Sequence, residues 1–427
     1  MRGGLKLCIF EDGKYGNLYP LAYTRPVFDL RCGRTRIYEK IKRSYPDANV
    51  VYFMRSYLEP VFKARLDGEI NKMEALKGDD VLFVNGRLLA WAGTLKPLGD
   101  EFVAVKGEDV VYARAKRESV EGAASRSLEE VLQKLRARLG SVEIEADLVE
   151  YPWHLVKHNA RAINDDFQFL TRKGVFGRMS AKAEICGGED RVYIADTAEI
   201  HPFVVLDASG GPIIIDGQVK VFPFSRIEGP CSIGSGTMIL RGNIREEVSI
   251  GPVCRVGGEV EASIIHGYSN KYHTGFLGHA YVGEWVNIGA LSTNSDLKND
   301  YSNVEVYVNG KMVDSGDSKV GCFVGDHTKF GIGCLLNTGT VVGVCCSLLG
   351  GDVPPKYIPS FTWFVRGRIS RGSGFRRTMQ AEKRVMNRRG VEMSQSYFEM
   401  MQHVYDETKK EREDIITRAK GMAATEA

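Results

Sequence analysis

One loop and several clusters in this chain carry side chains able to do chemistry. The loop is Phe10-Glu11-Asp12-Gly13-Lys14-Tyr15-Gly16-Asn17-Leu18-Tyr19-Pro20-Leu21, directly after the apolar stretch Leu5 to Phe10. A glycine-containing loop after the first strand of an α/β domain is where backbone N–H groups hold phosphates. A plain turn uses the same two glycines, Gly13 and Gly16, so the two readings stand side by side. Asn164-Asp165-Asp166-Phe167 sets two carboxylates together. Asp165 and Asp166 could bring a hard divalent ion, or could simply be a solvated helix start. Trp153-His154 could stack on a base, or Trp153 could be a packed core residue. From Arg366 to Arg389 there are nine basic residues against one acid, Glu382. Such a run suits a polyanion, but it lacks interleaved aromatics, and a solvated helix face or a contact between subunits explains it better than nucleic acid. Cys345-Cys346 could be a redox pair, although adjacent cysteines rarely bridge each other.

Those residues must be held by a frame, and the frame is visible as a repeat. Ile215, Val221, Ile227, Ile233 and Ile239 recur with a period of six. Ile244, Ile250, Val256 and Ala262 form a second series. Phe276, Val282 and Ile288 form a third, and Val324, Phe330, Leu336, Val342 and Leu348 a fourth. Six matches neither the helical period of 3.6 nor the strand period of 2. It is the mark of a parallel β-helix built from hexapeptides, with one aliphatic side chain per short strand pointing inward. Residues 292 to 319 interrupt the repeat. They begin with the polar run Ser292 to Tyr301, whose Asn294, Asp296 and Lys298 could contact a ligand or belong to a simple polar loop. They continue through the alternating Val304 to Val313, whose Asn309-Gly310 predicts a hairpin.

Ahead of the hexads the pattern alternates between strand-like and helix-like segments. Strands are expected at Leu5 to Phe10, Asn49 to Met54 and Val81 to Val84, and helices at Thr35 to Arg43, Leu58 to Leu66 and Ser127 to Leu139, the last with Ser127 as N-cap. This argues an α/β, Rossmann-like domain with a largely parallel sheet. After Val353-Pro354-Pro355 the tail is helical, with Gly390 as a break and Ser396 and Glu399 at capping-box spacing. The expected domains are residues 1–170, 190–352 and 353–427. A net charge of +3 does not argue for nucleic acid. No apolar run is long enough to span a membrane, and no signal peptide is evident. Nine cysteines without CxxC spacing read as small core residues kept reduced, which places the chain in the cytoplasm.

The stretch His273-Thr-Gly-Phe-Leu-Gly-His-Ala-Tyr-Val-Gly-Glu-Trp-Val-Asn-Ile-Gly-Ala290 resembles the pattern HLTYLGDAxIGxxVNIGAG. With an α/β domain in front of a hexapeptide β-helix, this resembles the bifunctional N-acetylglucosamine-1-phosphate uridylyltransferase / glucosamine-1-phosphate N-acetyltransferase family. Gly13, Gly16, Pro20 and Leu21 keep the frame of that family's GxGTRxxP-type loop, and Arg25-Pro26 stands near its Lys-Pro pair. The resemblance implies a nucleotidyltransferase-like domain, a left-handed parallel β-helix that uses acetyl-CoA as acyl donor, and a homotrimer. It implies that His273 takes a proton from the acceptor amine, a role suited to an imidazole titrating near neutrality. It places Asn287 in the acceptor site, with Phe276 and His279 where the family has Tyr and Asp.

The departures are specific. Asn17-Leu18 replaces the family's Thr-Arg. Asn85-Gly86-Arg87 stands where the family carries a metal-binding Asp, and Asn is a poor ligand for Mg²⁺. Arg25, Arg31 and Arg87 are the replacement phosphate-binding residues, beside Gly13, Gly16 and Asn85. In the β-helix, Glu259 and Glu261 occupy the region of an expected cation, which leaves Arg255 and Lys271 to grip a phosphate, with Asn294 nearby. Basic residues of the 366–389 run could contact coenzyme A. The expectation is an acetyl-CoA-dependent N-acetyltransferase acting on an amino-sugar phosphate, with a divergent nucleotidyltransferase-like front domain. The alternatives are a sugar-phosphate nucleotidyltransferase and a non-catalytic scaffold that binds nucleotide sugars.

Overall fold

Alternating apolar residues at the start of the chain build a seven-stranded sheet in the computed structural model, which describes residues 4–425. The strands are β1 (Leu5–Phe10), β2 (Asn49–Phe53), β3 (Glu69–Ile70), β4 (Asp80–Asn85), β5 (Phe102–Lys106), β6 (Asp109–Ala115) and β7 (Val142–Glu143), in the order 3-2-1-4-6-5-7. β3, β2, β1 and β4 run parallel, whereas β6 is antiparallel to β4 and to β5. The sheet is therefore largely parallel, as expected, with β6 running against its two neighbours. The hairpin of β5 and β6 turns at Gly107, with φ near +58°. The helix Leu128–Leu139 lays Leu128, Val131, Leu132 and Leu135 on the sheet. Ser127 caps it by accepting a hydrogen bond from the Glu130 N–H at 3.3 Å. The two earlier helices are shorter than their apolar patterns suggest, Ile37–Arg43 and Glu59–Phe62.

The chain forms two compact units. The first contains this sheet, with Arg25–Leu30 and Thr35–Glu150; the second contains Tyr19–Thr24, Arg31–Arg34 and the chain from Tyr151 on. The second unit opens with helices Pro152–Lys157 and Asn159–Gln168 and continues as a parallel β-helix. Three columns of inward residues define its walls. Ile215, Ile233, Ile250, Ile265, Val282, Val324, Val342 and Ile358 stack on one wall. Leu206, Ile227, Ile244, Val260 and Leu277 stack on a second. Val221, Ile239, Val256 and Lys271 run along the third, and Ile288, Phe330, Leu348 and Phe364 continue it. Burying one such aliphatic side chain contributes about 2 kcal/mol, so the stack is the main source of this unit's stability.

The hexad phase holds along most of the helix and slips in the middle. Val260 and Leu277 point inward, not Ala262 and Phe276. For Val260 the cause is local: Val256 and Val260 lie on one continuous strand, Arg255–Glu261, which crosses a shortened corner at Gly258, where φ is near +68°. The interruption at 292–319 contains the expected hairpin, Glu305–Val308 with Lys311–Asp314. Its turn residues Asn309 and Gly310 both have positive φ, 47° and 88°, the geometry that Asn-Gly supplies at low strain.

The tail folds into helices Phe375–Asn387, Gln395–Glu407 and Lys409–Thr425. The cap of the middle one is Ser394, whose hydroxyl accepts from the Tyr397 N–H, rather than Ser396. Phe375, Met379, Glu382 and Met386 form the buried stripe of the first, so Arg376, Arg377, Lys383, Arg384 and Arg388 make a solvated face. The single acid of the basic run is the anchor. Glu382 Oε2 lies 2.7 Å from His327 Nδ1 and 2.9 Å from Lys329 Nζ, while His327 Nε2 lies 2.7 Å from the Tyr397 hydroxyl. Burial works against the Glu382 carboxylate, yet His327 and Lys329 hold its pKa below the usual 4.5. Its contribution is complete above that ordinary value and is lost as pH falls through the lower folded one. Glu382→Ala strands His327 and Lys329 and should cost about 3 kcal/mol, read as a lower thermal midpoint together with faster proteolysis of the tail helices.

Among the described residues no helix is long and apolar enough to cross a membrane. All nine cysteines are free thiols. Cys345 and Cys346 are both buried, and burial pushes both thiols up, Cys346 to about 11.

Candidate functional sites

In the first unit, β1 has β2 on one side and β4 on the other, so the strand order reverses there. Open sheets bind ligands outside the carboxyl ends of the strands at such a point. A cavity of about 550 Å³ lies at this place, lined by Asp12, Gly13, Tyr15, Arg55, Asn85 and Asp109 among others. Gly13 and Gly16 fall in a 3₁₀ turn, Gly13–Leu18. Arg87 is fully buried and already committed. Its guanidinium meets Asp12 through Nε at 2.9 Å and Nη2 at 2.5 Å, and its Nη2 lies 3.0 Å from Asp109. Lys14 Nζ lies 2.7 Å from the same Asp109 oxygen. Burial alone would raise the Asp109 pKa, but Lys14 and Arg87 hold it below its ordinary value.

Asn85 completes this network. Its amide donates to Asp12 Oδ2 at 2.8 Å and to the Val110 carbonyl at 3.0 Å, and its Oδ1 accepts from the Arg87 N–H. A magnesium ion here would compete with Arg87 for Asp12 and Asp109. Among the described residues no group of three or more His, Cys, Asp or Glu side chains could hold a metal, so this donor set does not fit a resident ion. Arg25 is buried within the same unit, 3.9 Å from Asp29. Arg31 belongs to the other unit, where its Nε donates to the His266 carbonyl at 3.3 Å and its backbone N–H donates to the Tyr281 hydroxyl. Asp165 and Asp166 also lie in the second unit, on the helix Asn159–Gln168. Asp166 Oδ2 accepts from the Arg34 N–H at 2.8 Å and is buried, so its visible work is to anchor the Arg31–Arg34 segment.

In the β-helix the sequence-predicted residues separate into four places. His273 is exposed and packs its ring against Tyr272, with centroids 4.7 Å apart. It lines an open groove of about 610 Å³ with Phe222, Phe224, Arg241, Tyr272 and Leu291. Lys271 is not on that surface. It takes an inward position, and its ammonium donates to the carbonyls of Gly257, His273 and Gly275 at 3.0, 3.1 and 2.6 Å. Burial pulls its pKa down to about 8. Asn294 is buried as well: its Oδ1 accepts from the Gly278 N–H and its amide donates to the Gly278 carbonyl, both at 2.9 Å. Both residues stabilise coils of the helix. Phe276 is half-buried, and its backbone N–H donates to the Thr293 hydroxyl.

Asn287 is exposed, and its Oδ1 accepts from Asn270, whose own Oδ1 accepts from Arg389 at 2.7 Å. Arg255 donates to the carbonyls of Gly236 and Cys254. Burial first, and then repulsion from Arg255, lower the Arg389 pKa. The end of the basic run thus approaches Arg255 and Asn270, which sequence reasoning did not link. His279 lines a different cavity from His273, and its Nδ1 lies 2.7 Å from Asp296 Oδ2.

Residues 7–174 match the sugar nucleotidyl transferase family model. A bifunctional sugar-1-phosphate nucleotidylyltransferase/acetyltransferase from Sulfurisphaera tokodaii is 38% identical over 74 residues, 17% of this chain and 18% of that protein. Bifunctional protein GlmU from Acidithiobacillus ferrooxidans is 29% identical over 139 residues, 30% of each chain. The chain therefore spans less than a third of the length of the curated relatives it matches. Among solved structures, an Arabidopsis UDP-N-acetylglucosamine acyltransferase overlaps 50% of this chain and 78% of its own, at 12% identity and a TM-score of 0.27. In these segments the chain is similar to bifunctional nucleotidyltransferase/acetyltransferase proteins.

Proposed function

We propose that this protein is a transferase of sugar-nucleotide metabolism whose β-helix moves an acetyl group from acetyl-CoA to the amine of an amino-sugar phosphate. Residues 1–170 would form its nucleotidyltransferase-like domain, 190–352 its acyltransferase domain and 353–427 its tail. The observation that carries the reading is one chain joining a segment that matches a sugar nucleotidyl transferase model to a parallel β-helix that presents His273 on an open groove. His273 is the general base. Its imidazole takes a proton from the amine as nitrogen attacks the thioester carbonyl; the C–S bond then breaks and the proton passes to the departing thiolate. Asn287 contacts the acceptor. The surface of Arg255, Asn270 and Arg389 offers cationic and amide donors to phosphate. Release of coenzyme A, followed with a thiol reagent and glucosamine 1-phosphate as acceptor, is the direct test. No release from the wild-type protein across an acceptor screen favours the second reading, a non-catalytic nucleotide-sugar-binding scaffold. Arg87 closing on Asp12 in the front cleft is the observation on that side.

The same reading predicts a homotrimer. Phe203, Phe224, Tyr272 and Leu291 are exposed by 53%, 70%, 45% and 60%, and all but Phe203 line the His273 groove. Exposed apolar area on this scale marks an interaction surface. Light scattering should give about three times the 47.4 kDa chain mass; a monomer at micromolar concentration refutes the trimer and leaves the groove open on one side.

A further inference from the structure

The interruption of the hexads does more than project a hairpin. It supplies one side of a half-open cavity of about 300 Å³ within the second unit, lined by Asp317, Lys319 and Val320 from the interruption and its end, by Trp153 and Lys157 from the helix Pro152–Lys157, and by Glu247 and His279 from β-helix corners. His279 and Glu247 both sit at positive φ, 47° and 64°. These are corner positions, where the side chain leaves the prism instead of entering it.

The polar groups around this cavity are differentiated. Asp296, also from the interruption, has its Oδ2 2.7 Å from His279 Nδ1 and accepts a hydrogen bond from it. That bond orients the ring, and Nε2 is the ring nitrogen turned away from Asp296. Burial works against the Asp296 carboxylate, but His279, with Lys319 and a backbone N–H, holds its pKa below the ordinary value, so the carboxylate stays charged and holds the ring. Lys157 is paired with Asp317 at 3.1 Å and Lys319 lies 3.7 Å from Glu261, so both lysines have counter-charges of their own. Glu247 does not share in those pairs. Burial pushes its carboxyl above the usual range, and His279 only partly offsets that. A half-buried carboxylate in this state gains most from a ligand that brings a positive charge.

We propose that this cavity is a second small-molecule site, separate from the His273 groove, which binds a small polyhydroxylated amine. The ligand ammonium lies against Glu247 and a ligand hydroxyl hydrogen-bonds His279 Nε2, with Asp296 as the positioning residue. The volume is at the small end of ligand pockets, which suits one sugar ring. Val156, Ala262 and Val320 supply the apolar wall that a sugar's C–H face requires. The site follows from the chain's own departures: His279 stands where the resembled pattern has an acid, and Asp296 and Lys319 lie in the stretch from 292 to 319 that breaks the hexads.

Calorimetric titration of the full-length chain with D-glucosamine tests the proposal, with methyl glucoside as the analogue that lacks the amine. Glucosamine should bind and methyl glucoside should bind at least about tenfold more weakly, the scale of one hydrogen bond to a charged group. His279→Ala and Glu247→Gln should each lower glucosamine affinity by a similar factor. Asp296→Asn keeps a hydrogen-bonding side chain, so it reports even if His279→Ala does not fold. In that variant the ¹⁵N signals of His279 should lose the Nδ1-protonated pattern as affinity falls. Absence of heat at millimolar glucosamine overturns the proposal. So does binding that survives both Glu247→Gln and Asp296→Asn, or binding lost in His273→Ala but kept in His279→Ala, which puts the amine in the groove. None of these readouts depends on acetyl transfer, so the site stands or falls independently of the proposed activity.

Discussion

His273→Ala removes most acetyl transfer while leaving the thermal midpoint close to wild type. A positioned general base contributes roughly 10²–10⁴-fold to rate, and turnover should fall within that range. Folding is spared because the ring is exposed and makes only a surface packing contact with Tyr272, whereas the adjoining coil is held by Lys271 from inside. The loss should appear mainly in kcat, since a proton acceptor acts on the attacking amine in the transition state more than on bound substrate. His279→Ala is the discriminating companion. Wild-type turnover in His273→Ala together with loss in His279→Ala would move the base to the Asp296-bound imidazole and show that the resemblance had been carried over out of register.

Mg²⁺-dependent uridylyl transfer by the front domain should be weak or absent, a second effect of comparable size. Removing one donor that stabilises developing charge costs roughly 10²–10³-fold, and here several are redirected at once. Arg87 cannot clamp a phosphate without releasing Asp12 and Asp109, and Asn85 spends its amide and its carbonyl inside the same network. Arg31 lies in the other unit, bonded to the His266 carbonyl. Pyrophosphate release from UTP and N-acetylglucosamine 1-phosphate is the assay. Robust release would mean that ligand binding reorganises the cluster, and Arg87→Ala would then abolish it. In the absence of substrate, Arg87→Ala should instead destabilise the domain by about 3 kcal/mol, because it leaves Asp12 and Asp109 close together without their shared cation.

Much of the architecture was legible because its signals are local. A period of six needs no partner sequence to be recognised, and Ile215, Ile227, Ile233, Ile239 and Ile250 all reach the interior as that period requires. Asn309-Gly310 encodes its own turn through two residues that tolerate positive φ, and Ser127 caps a helix from within one turn. Even the solvated basic face of Phe375–Asn387 follows from helical spacing around Phe375, Met379 and Met386. The hexad phase was less secure. The step from Val256 to Val260 is shortened at its corner, and the step from Leu277 to Val282 spans five residues instead of six, which is how Leu277 came to replace Phe276 inside.

What the sequence by itself determined, then, is the kind of scaffold and the chemical types on its surface, since propensity, periodicity and turn chemistry act over a few residues. Tertiary structure alone decided which of those groups are available. Lys271 looks like a phosphate ligand in the linear chain and is an internal strut in the fold, because its ammonium finds three carbonyls within a β-helix coil. Arg87 meets Asp12 across 75 positions of sequence, and the one acid of the basic run meets His327 across 55. His279 acquires Asp296 only because the interruption folds back over its corner. An ion pair or a buried hydrogen bond depends on distance and desolvation, and neither is encoded in spacing along the chain once the partners come from separate elements.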